Sequence, residues 1–371
     1  MIRGQTSDSI PIDLITEILS RLPAKSIARC RCVSKLWTSI LDRPYFTKLF
    51  LTRSSARPRL FFAIKRADGW CFLTSPQPHS PYDKSSLVLV ADFHIKFPGY
   101  MWPGFFGLNS GLIYFYHMLI SEKDKDTVVP VPVICNPSTG QHMSLPNGNM
   151  KKGFLGFDPI EKQFKVLSVR LYNENQSPQV LTLGTGNVSW RKIHCPLKHY
   201  ISYCEDGVCI NGVLYYLGHR VDVWYRVIVC FDVSSEKFNF IDEEFFRRWP
   251  RTKLINYMGK LGAIIYEYVA FGDTMMYLIK DVMKPEQRQH VYFFGKDTFV
   301  DDSSVSVTST GDVVWLIYDT SKLFYVFYFN PIRNTHQRVE IQGFEVNHDA
   351  FANRRNVRVF VDHVEDLNFI K

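Results

Sequence analysis

The chain has 371 residues, more than the roughly 100 to 200 residues of a usual domain, so its length predicts two domains or one repeat-built domain. Aromatic residues make up 15% of the chain and charged residues 22%, which argues against disorder and against a coiled coil. No apolar run approaches the roughly 18 residues of a membrane span and no secretory signal is visible. We therefore expect an intracellular protein, in the nucleus or the cytoplasm, without a membrane partner. Its eight cysteines lack framework spacing and are expected to be free thiols.

The net charge of +8 is concentrated at the N-terminal end. Residues 1–59 contain eleven Lys and Arg against four acids, whereas residues 60–371 are almost neutral. Nucleic acid would be the first partner to consider for a basic chain. Because the charge belongs to one short segment, we instead expect an acidic protein partner for that segment and no nucleic acid.

Residues 10–41 have helical periodicity. Ile10, Leu14 and Ile18 recur four residues apart, which predicts a helix that begins at Pro11 and ends before Pro23. Two shorter helices are predicted over residues 24–30 and 33–41. Three helices of this length bury little core by themselves, so the pattern indicates a docking module.

The segment IPIDLITEILSRLPAKSIARCRCVSKLWTSI resembles the F-box. The family pattern is approximately L-P-x-D-L-x-x-E-I-L-x-R-L-P-x-K-S-L-x-R-F-x-x-V-C/S-K-x-W, and it is matched over one continuous span. The matching residues are Pro11, Asp13, Leu14, Glu17, Ile18, Leu19, Arg21, Leu22, Pro23, Lys25, Ser26, Arg29, Val33, Ser34, Lys35 and Trp37. Two departures are Ile10 for the leading Leu and Cys30 for the usual Phe, which removes volume from the helix packing.

The resemblance implies docking on a Skp-family adaptor, which joins F-box proteins to the cullin of an SCF ubiquitin ligase. The residues carried over as adaptor-binding candidates are Pro11, Leu14, Ile18, Leu22, Pro23, Val33 and Trp37. For each of them the alternative is packing between the three helices. The basic residues that would steer an acidic adaptor are Arg21, Lys25, Arg29 and Lys35.

The domain boundaries follow from changes in composition. We expect a flexible tail at residues 1–8, the helical module at 9–42, a linker at 43–59 and a strand-rich domain at 60–371. In the last region an apolar strand followed by a turn residue recurs with spacings of 48, 48, 49 and 49 residues, at Asn136, Gly184, Asp232, Asp281 and Asn330. A second anchor occurs at Gly111, Gly212, Gly262 and Gly311.

The repeat predicts the architecture of the strand-rich domain. About four strands in each repeat are typical of a propeller blade, and the length of the region favours six blades. Strands at residues 60–64 and 357–361 would share one blade and close the ring. The predicted fold is therefore α+β and multidomain, with a three-helix module followed by an all-β six-bladed propeller. An irregular sandwich is the alternative.

The same region also resembles a family. GFDPIEKQFKVLSV, TLGTGNVSWRKI, GVCINGVLYYLG and CFDVSSEKFNFI are similar to the F-box-associated propellers of plant F-box proteins, of the type-3 group. The resemblance implies a domain that recruits a substrate protein. Aromatic and Arg residues in two loop-like segments are the speculative substrate-binding candidates: Trp102, Phe245, Phe246, Arg247 and Trp249.

Catalytic and cofactor motifs are absent from the sequence. His194, Cys195, His199, Cys204 and Cys209 lie close together in the chain, but their spacing is not that of a zinc site. We therefore expect no cofactor, metal or catalytic residue, and predict a non-catalytic substrate-recognition subunit of an SCF-type ubiquitin ligase. Two alternatives stay open: a propeller enzyme or small-ligand binder with a central pocket, and an F-box protein that acts outside the ligase.

Overall fold

A computed structural model contains a helical module followed by a β-propeller. It describes residues 10–66, 69–83, 87–97, 106–109, 111–121, 128–146, 152–169, 177–184, 186, 188–201, 206–223, 225–248, 251–269, 274–294, 305–318, 324–343 and 357–367. The predicted tail at residues 1–8 lies outside these ranges. Within them, no helix combines the length and the apolar character that crossing a membrane requires.

The helical module contains four helices: α1 Ile12–Leu19, α2 Ala24–Arg31, α3 Lys35–Leu41 and α4 Pro44–Ser55. Pro11 and Pro23 stand immediately before α1 and α2, and the Ser34 hydroxyl caps α3 by accepting the Trp37 N–H at 3.2 Å. Helix α4 begins at Pro44, whose fixed φ suits the first helical position.

The predicted count of three helices is wrong, because α4 occupies most of the predicted linker at 43–59. Phe46 and Phe50 of α4 are fully buried and complete the module's core. They pack with Leu19, Ala24, Ile27, Leu41 and Leu367. A segment rich in Pro, Ser and Arg is thus structural, since its two aromatics lie one turn apart on the face that meets α1 and α2.

The described strands after the helical module form six sheets, antiparallel except for one strand pair in blade 6, and we number them as blades in chain order. Blade 1 contains β1 Arg59–Arg66, β2 Gly69–Pro76, β4 Asp92–Phe97 and β26 Val357–His363; the short helix Pro81–Asp83 and β3 Leu87–Val90 lie between β2 and β4. Blade 2 contains β5 Phe106–Asn109, β6 Leu112–Ser121, β7 Val128–Cys135 and β8 His142–Ser144. Blade 3 contains β9 Lys152–Asp158, β10 Gln163–Val169, β11 Gln179–Thr182 and β12 Arg191–Lys192.

The other three blades follow the same order from the centre outward. Blade 4 contains β13 His199–Tyr200, β14 Val208–Ile210, β15 Val213–Arg220, β16 Arg226–Asp232 and β17 Phe238–Ile241, and is followed by α5 Glu244–Arg248. Blade 5 contains β18 Thr252–Tyr257, β19 Lys260–Tyr268, β20 Thr274–Ile279 and β21 Arg288–Phe294. Blade 6 contains β22 Ser306–Val307, β23 Val313–Tyr318, β24 Phe324–Asn330 and β25 Thr335–Gln342.

Six hydrophobic clusters, one between each pair of neighbouring blades, hold the sheets together. Trp70 is buried between blades 1 and 2, Tyr216 between blades 3 and 4, and Trp315 between blades 5 and 6. Phe62 lies between blades 6 and 1 and completes the circle. The six-bladed propeller predicted from the repeat is therefore confirmed.

The first and last strands close the ring, as predicted. Strand β26 pairs with β1, with Val357 opposite Ile64 and Val359 opposite Phe62. A second connection between the first and last blades is new: β3 leaves blade 1 and pairs in parallel with β25 of blade 6, with Val90 opposite Gln342. This strand adds a fifth member to blade 6.

The repeat anchors are the turns between the third and outermost strands of blades 2 to 6. In four of them a side-chain oxygen accepts main-chain N–H groups two or three residues later, which fixes a tight Asx turn. These residues are Asn136, Asp232, Asp281 and Asn330. Gly184 takes the same place in blade 3 with a φ of 81°.

The second set of anchors does not occupy one structural position. Gly111, Gly212 and Gly311 have positive φ and lie in turns between the first and second strands of their blades. Gly262 instead lies inside β19, opposite Ile255. The turn of blade 5 is formed by Met258 and Gly259, both with positive φ, and β19 begins at Lys260, two residues before Gly262.

The propeller has two different faces. Antiparallel pairing places every turn between first and second strands and between third and outermost strands at one end, which we call the module face, around Asn136, Asp158 and Asn211. The helical module joins this end, since β1 begins and β26 ends there, with Arg59 opposite His363. The other end, the far face, carries the β15–β16 turn and α5.

Ring closure predicts a specific sensitivity to mutation. Val359 of β26 is fully buried between blades 1 and 6, whereas Val90 of β3 is 56% exposed. We expect Val359→Asp to lower the free energy of unfolding by more than about 3 kcal/mol, because an unpaired carboxylate is buried. The matched Val90→Asp variant should change it by less than about 0.5 kcal/mol. Urea unfolding followed by tryptophan fluorescence measures both, and equal effects would contradict the role assigned to β26.

Candidate functional site

Seven large apolar side chains of the helical module point to solvent and form its exposed apolar surface. They are between 42% and 71% exposed: Ile10, Ile12, Leu14, Ile18, Val33, Leu36 and Tyr45. Single exposed apolar residues are ordinary, but this number on a small helical module is typical of an interaction surface. Leu14 and Ile18 are four residues apart, so they lie along one side of α1, and Ile10 precedes the helix.

The seven adaptor-binding candidates divide into two groups. Pro11, Leu14, Ile18, Pro23 and Val33 are exposed. Leu22 and Trp37 are half-buried and pack against the module's core. The first group is therefore free to contact a partner in its present conformation, whereas the second group supports the fold.

Besides Ile10, three residues of the exposed apolar surface were not adaptor-binding candidates: Ile12, Leu36 and Tyr45. The family pattern does not fix the residue type at these positions, so a motif comparison passes over them. A search for apolar residues outside the core periodicity would have found Leu36 and Ile12. Tyr45 was hidden because it lies in the segment predicted as a linker.

A charged pair joins the first and last helices of the module. Glu17 of α1 accepts hydrogen bonds from Arg21 at 2.5 Å and from Arg53 of α4, and Arg53 also donates to the Glu17 carbonyl at 2.9 Å and the Ser20 hydroxyl at 2.6 Å. These bonds, that from Arg21 foremost, lower the pKa of the Glu17 carboxyl. Arg53 thus gives α4 a fixed place beside α1. Cys30, where the family has Phe, is half-buried against the same core.

The substrate-binding candidates have a mixed outcome. Trp102 and Trp249 lie outside the described residues. Phe245 is part of α5, and the structure describes its main chain alone. Phe246 is only 2% exposed and packs with Leu254 and Ile265 of blade 5, so the expectation that its side chain is available to a substrate is wrong.

Arg247 is exposed and belongs to a cluster on the far face. Its guanidinium lies 4.1 Å from the centre of the Tyr225 ring, and Arg220 lies 5.3 Å from the same ring. Asp242 accepts from Arg247 at 2.7 Å and from the Tyr225 hydroxyl at 2.9 Å. Burial raises the pKa of Asp242, but the hydrogen bonds from Arg247 and Tyr225 outweigh it, so the net shift is downward. Stacking and pairing hold Arg247 in one position, which a recognition surface requires.

An ion pair crosses the centre of the ring. Arg358 of β26 in blade 1 lies 3.8 Å from Asp206, which is two residues before β14 in blade 4. Blades 1 and 4 are opposite each other in a ring of six, so these side chains meet across the central channel. The channel is therefore narrow at this level, which is unfavourable to a large central pocket.

The Cys and His residues near position 200 do not all lie together: Cys195 and Cys209 pack against the cluster between blades 3 and 4, His194 is exposed, and Cys204 lies outside the described residues. His199 is buried, its Nε2 is 2.9 Å from the Tyr216 hydroxyl, and its Nδ1 is 3.0 Å from the Leu197 carbonyl oxygen. The carbonyl accepts from Nδ1–H, so Nε2 accepts from Tyr216. In the described part of the chain, no group of three or more Cys, His, Asp or Glu side chains is placed to hold a metal.

Two family models match the sequence. The F-box domain matches residues 7–49, and the F-box associated beta propeller domain matches residues 59–364. The chain belongs to the F-box proteins that carry this propeller. The F-box therefore extends to residue 49, which includes the first half of α4.

Relatives in Arabidopsis thaliana match almost the whole chain, and their names include the words F-box protein. At5g42430 is 48% identical over 98% of this chain and 92% of its own length. At1g47340 is 46% identical over 98% of this chain and 84% of its own, and F-box protein DOR is 43% identical over 99% and 96%.

The Glu17 pair predicts a pH dependence. Because its pKa in the folded chain lies below the usual 4.5, the stabilisation is fully present above that pH and is lost as the pH falls through the folded pKa. We expect Glu17→Gln to flatten the acid-side loss of F-box thermal stability, followed by helical circular dichroism from about pH 3 to about pH 7. Glu161→Gln, in an exposed turn of blade 3, is the control, and an identical profile for all three proteins would contradict the assignment.

Proposed function

We propose that the protein is the substrate-recognition subunit of an SCF-type ubiquitin ligase, with the F-box bound to a Skp-family adaptor and the propeller holding a substrate protein. The exposed apolar surface of the helical module is the observation that carries this proposal. A folded module with a closed core that still exposes seven large apolar side chains fits a docking element for a second protein.

The basic side chains of the F-box support the same partner. Arg21, Lys25, Arg29 and Lys35 are all exposed, and residues 1–59, which include the F-box, have eleven Lys and Arg against four acids. An acidic adaptor would be attracted before contact, so association should slow as salt concentration rises.

In this proposal the adaptor and the substrate bind at opposite ends of the protein. The F-box occupies the module face, and the far face carries the Arg247 cluster with Val221 and Val223, which are 37% and 43% exposed. A substrate on the far face would not compete with the adaptor. The protein would then act by raising the local concentration of the substrate beside the ubiquitin-charged enzyme, which needs no catalytic residue of its own.

Adaptor binding is tested with exposed and half-buried residues separately. We expect Leu14→Asp and Val33→Asp each to weaken binding of a Skp-family adaptor by at least about 2 kcal/mol, about 30-fold in Kd, without a change in Tm. Trp37→Ala should lower Tm instead, because its indole packs on the core. Isothermal titration and thermal unfolding of the same preparations provide both readouts.

The outcomes of this experiment separate the open alternatives. Ile160→Asp, in an exposed turn of blade 3, is the control that should bind normally. Unchanged binding by both Leu14→Asp and Val33→Asp would contradict the surface, and a folded native chain that binds no adaptor would contradict the function. Adaptor binding without copurification of a cullin would place the protein outside the ligase.

The role of the far face in substrate binding is tested by identifying the proteins whose ubiquitination depends on it. We expect the double variant Val223→Asp/Arg247→Glu, expressed in Arabidopsis cells, to lose ubiquitination of a subset of proteins that the native chain promotes. Adaptor copurification should be unchanged, because both residues lie at the other end of the propeller. Quantitative proteomics of ubiquitin remnants measures the subset. An unchanged subset, with Ile160→Asp as the control, would exclude this face.

A further inference from the structure

The last described residues of the chain return to the helical module. After β26 ends at His363, Val364–Leu367 leave the propeller and contact both parts of the protein. These four residues lie at the opposite end of the chain from the helices that they meet.

Leu367 is part of the F-box core. It is 7% exposed and packs in the cluster that contains Leu19, Ile27 and Phe46. The core of the N-terminal module is therefore completed by a side chain from the C-terminal end, and separating the two parts would expose apolar surface on both.

Glu365 supplies the cap that helix α2 lacks. Pro23 stands at the N-cap position and makes no side-chain hydrogen bond there. The Glu365 carboxylate, 6% exposed, instead accepts the Ala24 N–H at 3.3 Å, and an acceptor at this end also suits the helix dipole. Burial raises the pKa of this carboxyl, against the opposing effects of the Arg59 charge, the Ala24 N–H and the Arg57 charge. The amide oxygen of a glutamine at this position can accept the same N–H.

Blade 2 holds the other side of the segment. The Asn136 amide donates to the Asp366 carbonyl at 2.9 Å while its own side-chain oxygen fixes the Asx turn at Ser138. At Gly111, a Cβ would lie only 3.3 Å from the Val364 carbonyl oxygen. The segment is thus held between the F-box and the turns of the module face.

The direct connection between the two parts is short and loosely packed. Only residues 56–58 separate α4 from β1. A cleft of about 380 Å³ opens beside them, lined by Phe50, Arg57, Pro76 and Glu365 among others. Parts of a chain that share a small interface move relative to each other by default.

We propose that residues 364–367 form a clasp that fixes the orientation of the F-box on the propeller, with Glu365 as its positioning residue. The clasp holds the joint, by which we mean the connection between the F-box and the propeller, whether or not a partner is bound. Its consequence for ubiquitin transfer rests on the proposed function, because a fixed joint would set the distance between the adaptor and the far face.

The test measures the joint directly. Spin labels are placed through non-canonical amino acids at Lys48 of α4 and Ile332 of blade 6, both exposed, and the distance distribution is recorded by double electron–electron resonance without an adaptor. We expect one narrow distribution for the native sequence and a broader one for Glu365→Ala and Leu367→Ala. Glu365→Gln should restore the narrow distribution, because the amide oxygen still accepts the Ala24 N–H.

A variant on the propeller side distinguishes loss of the clasp from unfolding of the F-box. Asn136→Asp keeps the oxygen that forms the Asx turn but loses the donor to Asp366, and it lies outside the helical module. It should also broaden the distribution while helical circular dichroism stays unchanged. Native widths in Glu365→Ala, Leu367→Ala and Asn136→Asp would overturn the proposal, as would broadening in Glu365→Gln equal to that in Glu365→Ala. Because no adaptor is present, these outcomes are independent of the proposed function.

Discussion

The pairing of β26 with β1 is the constraint on which the propeller depends. Each blade has two apolar faces, and each face is buried only by the next blade in the ring. Without the pairing of Val357 with Ile64 and Val359 with Phe62, blades 1 and 6 would expose strand edges and apolar surface together. Closing so long a loop has an entropic cost, and the contacts that offset this cost form only when β26 pairs with β1. Stability is therefore a property of the whole ring, and β3 strengthens the same joint from the outer edge.

Closure also explains the difference between the two faces. On the module face the connections are short turns in which Asp or Asn side chains bond to the main chain, and turns of neighbouring blades touch: the Asn211 amide reaches the Gly259 carbonyl at 3.5 Å. Such turns have little freedom to vary. On the far face the connections between strands are not confined to such short turns, and one of them contains the additional helix α5. A rigid scaffold with variable connections at one end is a common arrangement for recognition.

Much of this architecture could be predicted from the sequence because turn chemistry is local. Asn136 and Asp232 mark their turns by residue type alone, and their spacing gives the number of blades. The F-box could be predicted because many residue types are fixed over one continuous span. Gly262 shares the spacing of the turn glycines but lies inside a strand, and spacing alone does not distinguish these two positions when the neighbouring strand lengths are unknown.

The remaining failures concern burial, which depends on distant parts of the chain. Adjacent residues of a helix point about 100° apart, and only the packing of α5 against blades 4 and 5 determines that Phe246 is buried. Helix α4 was missed because most of its core partners, which lie in α1 and α2 and at Leu367, are distant in sequence, and Leu41 of α3 is the one close to it. Trp37 was judged equally suited to binding and packing until the fold brought it against that core.

The position of the F-box on the module face follows from the order of the chain. Since β1 is the second strand of blade 1, the chain must enter the propeller at the end where β26 leaves it, and both termini of the domain meet there. An N-terminal module and a C-terminal segment are consequently neighbours without any dedicated contact surface. Because Leu367 and Glu365 belong to a segment already held by β26, that segment loses little further conformational entropy when it packs on the helices. The pairing of β26 with β1 that closes the ring therefore also brings together residues 56–58 and residues 364–367, the two segments that join the F-box to the propeller.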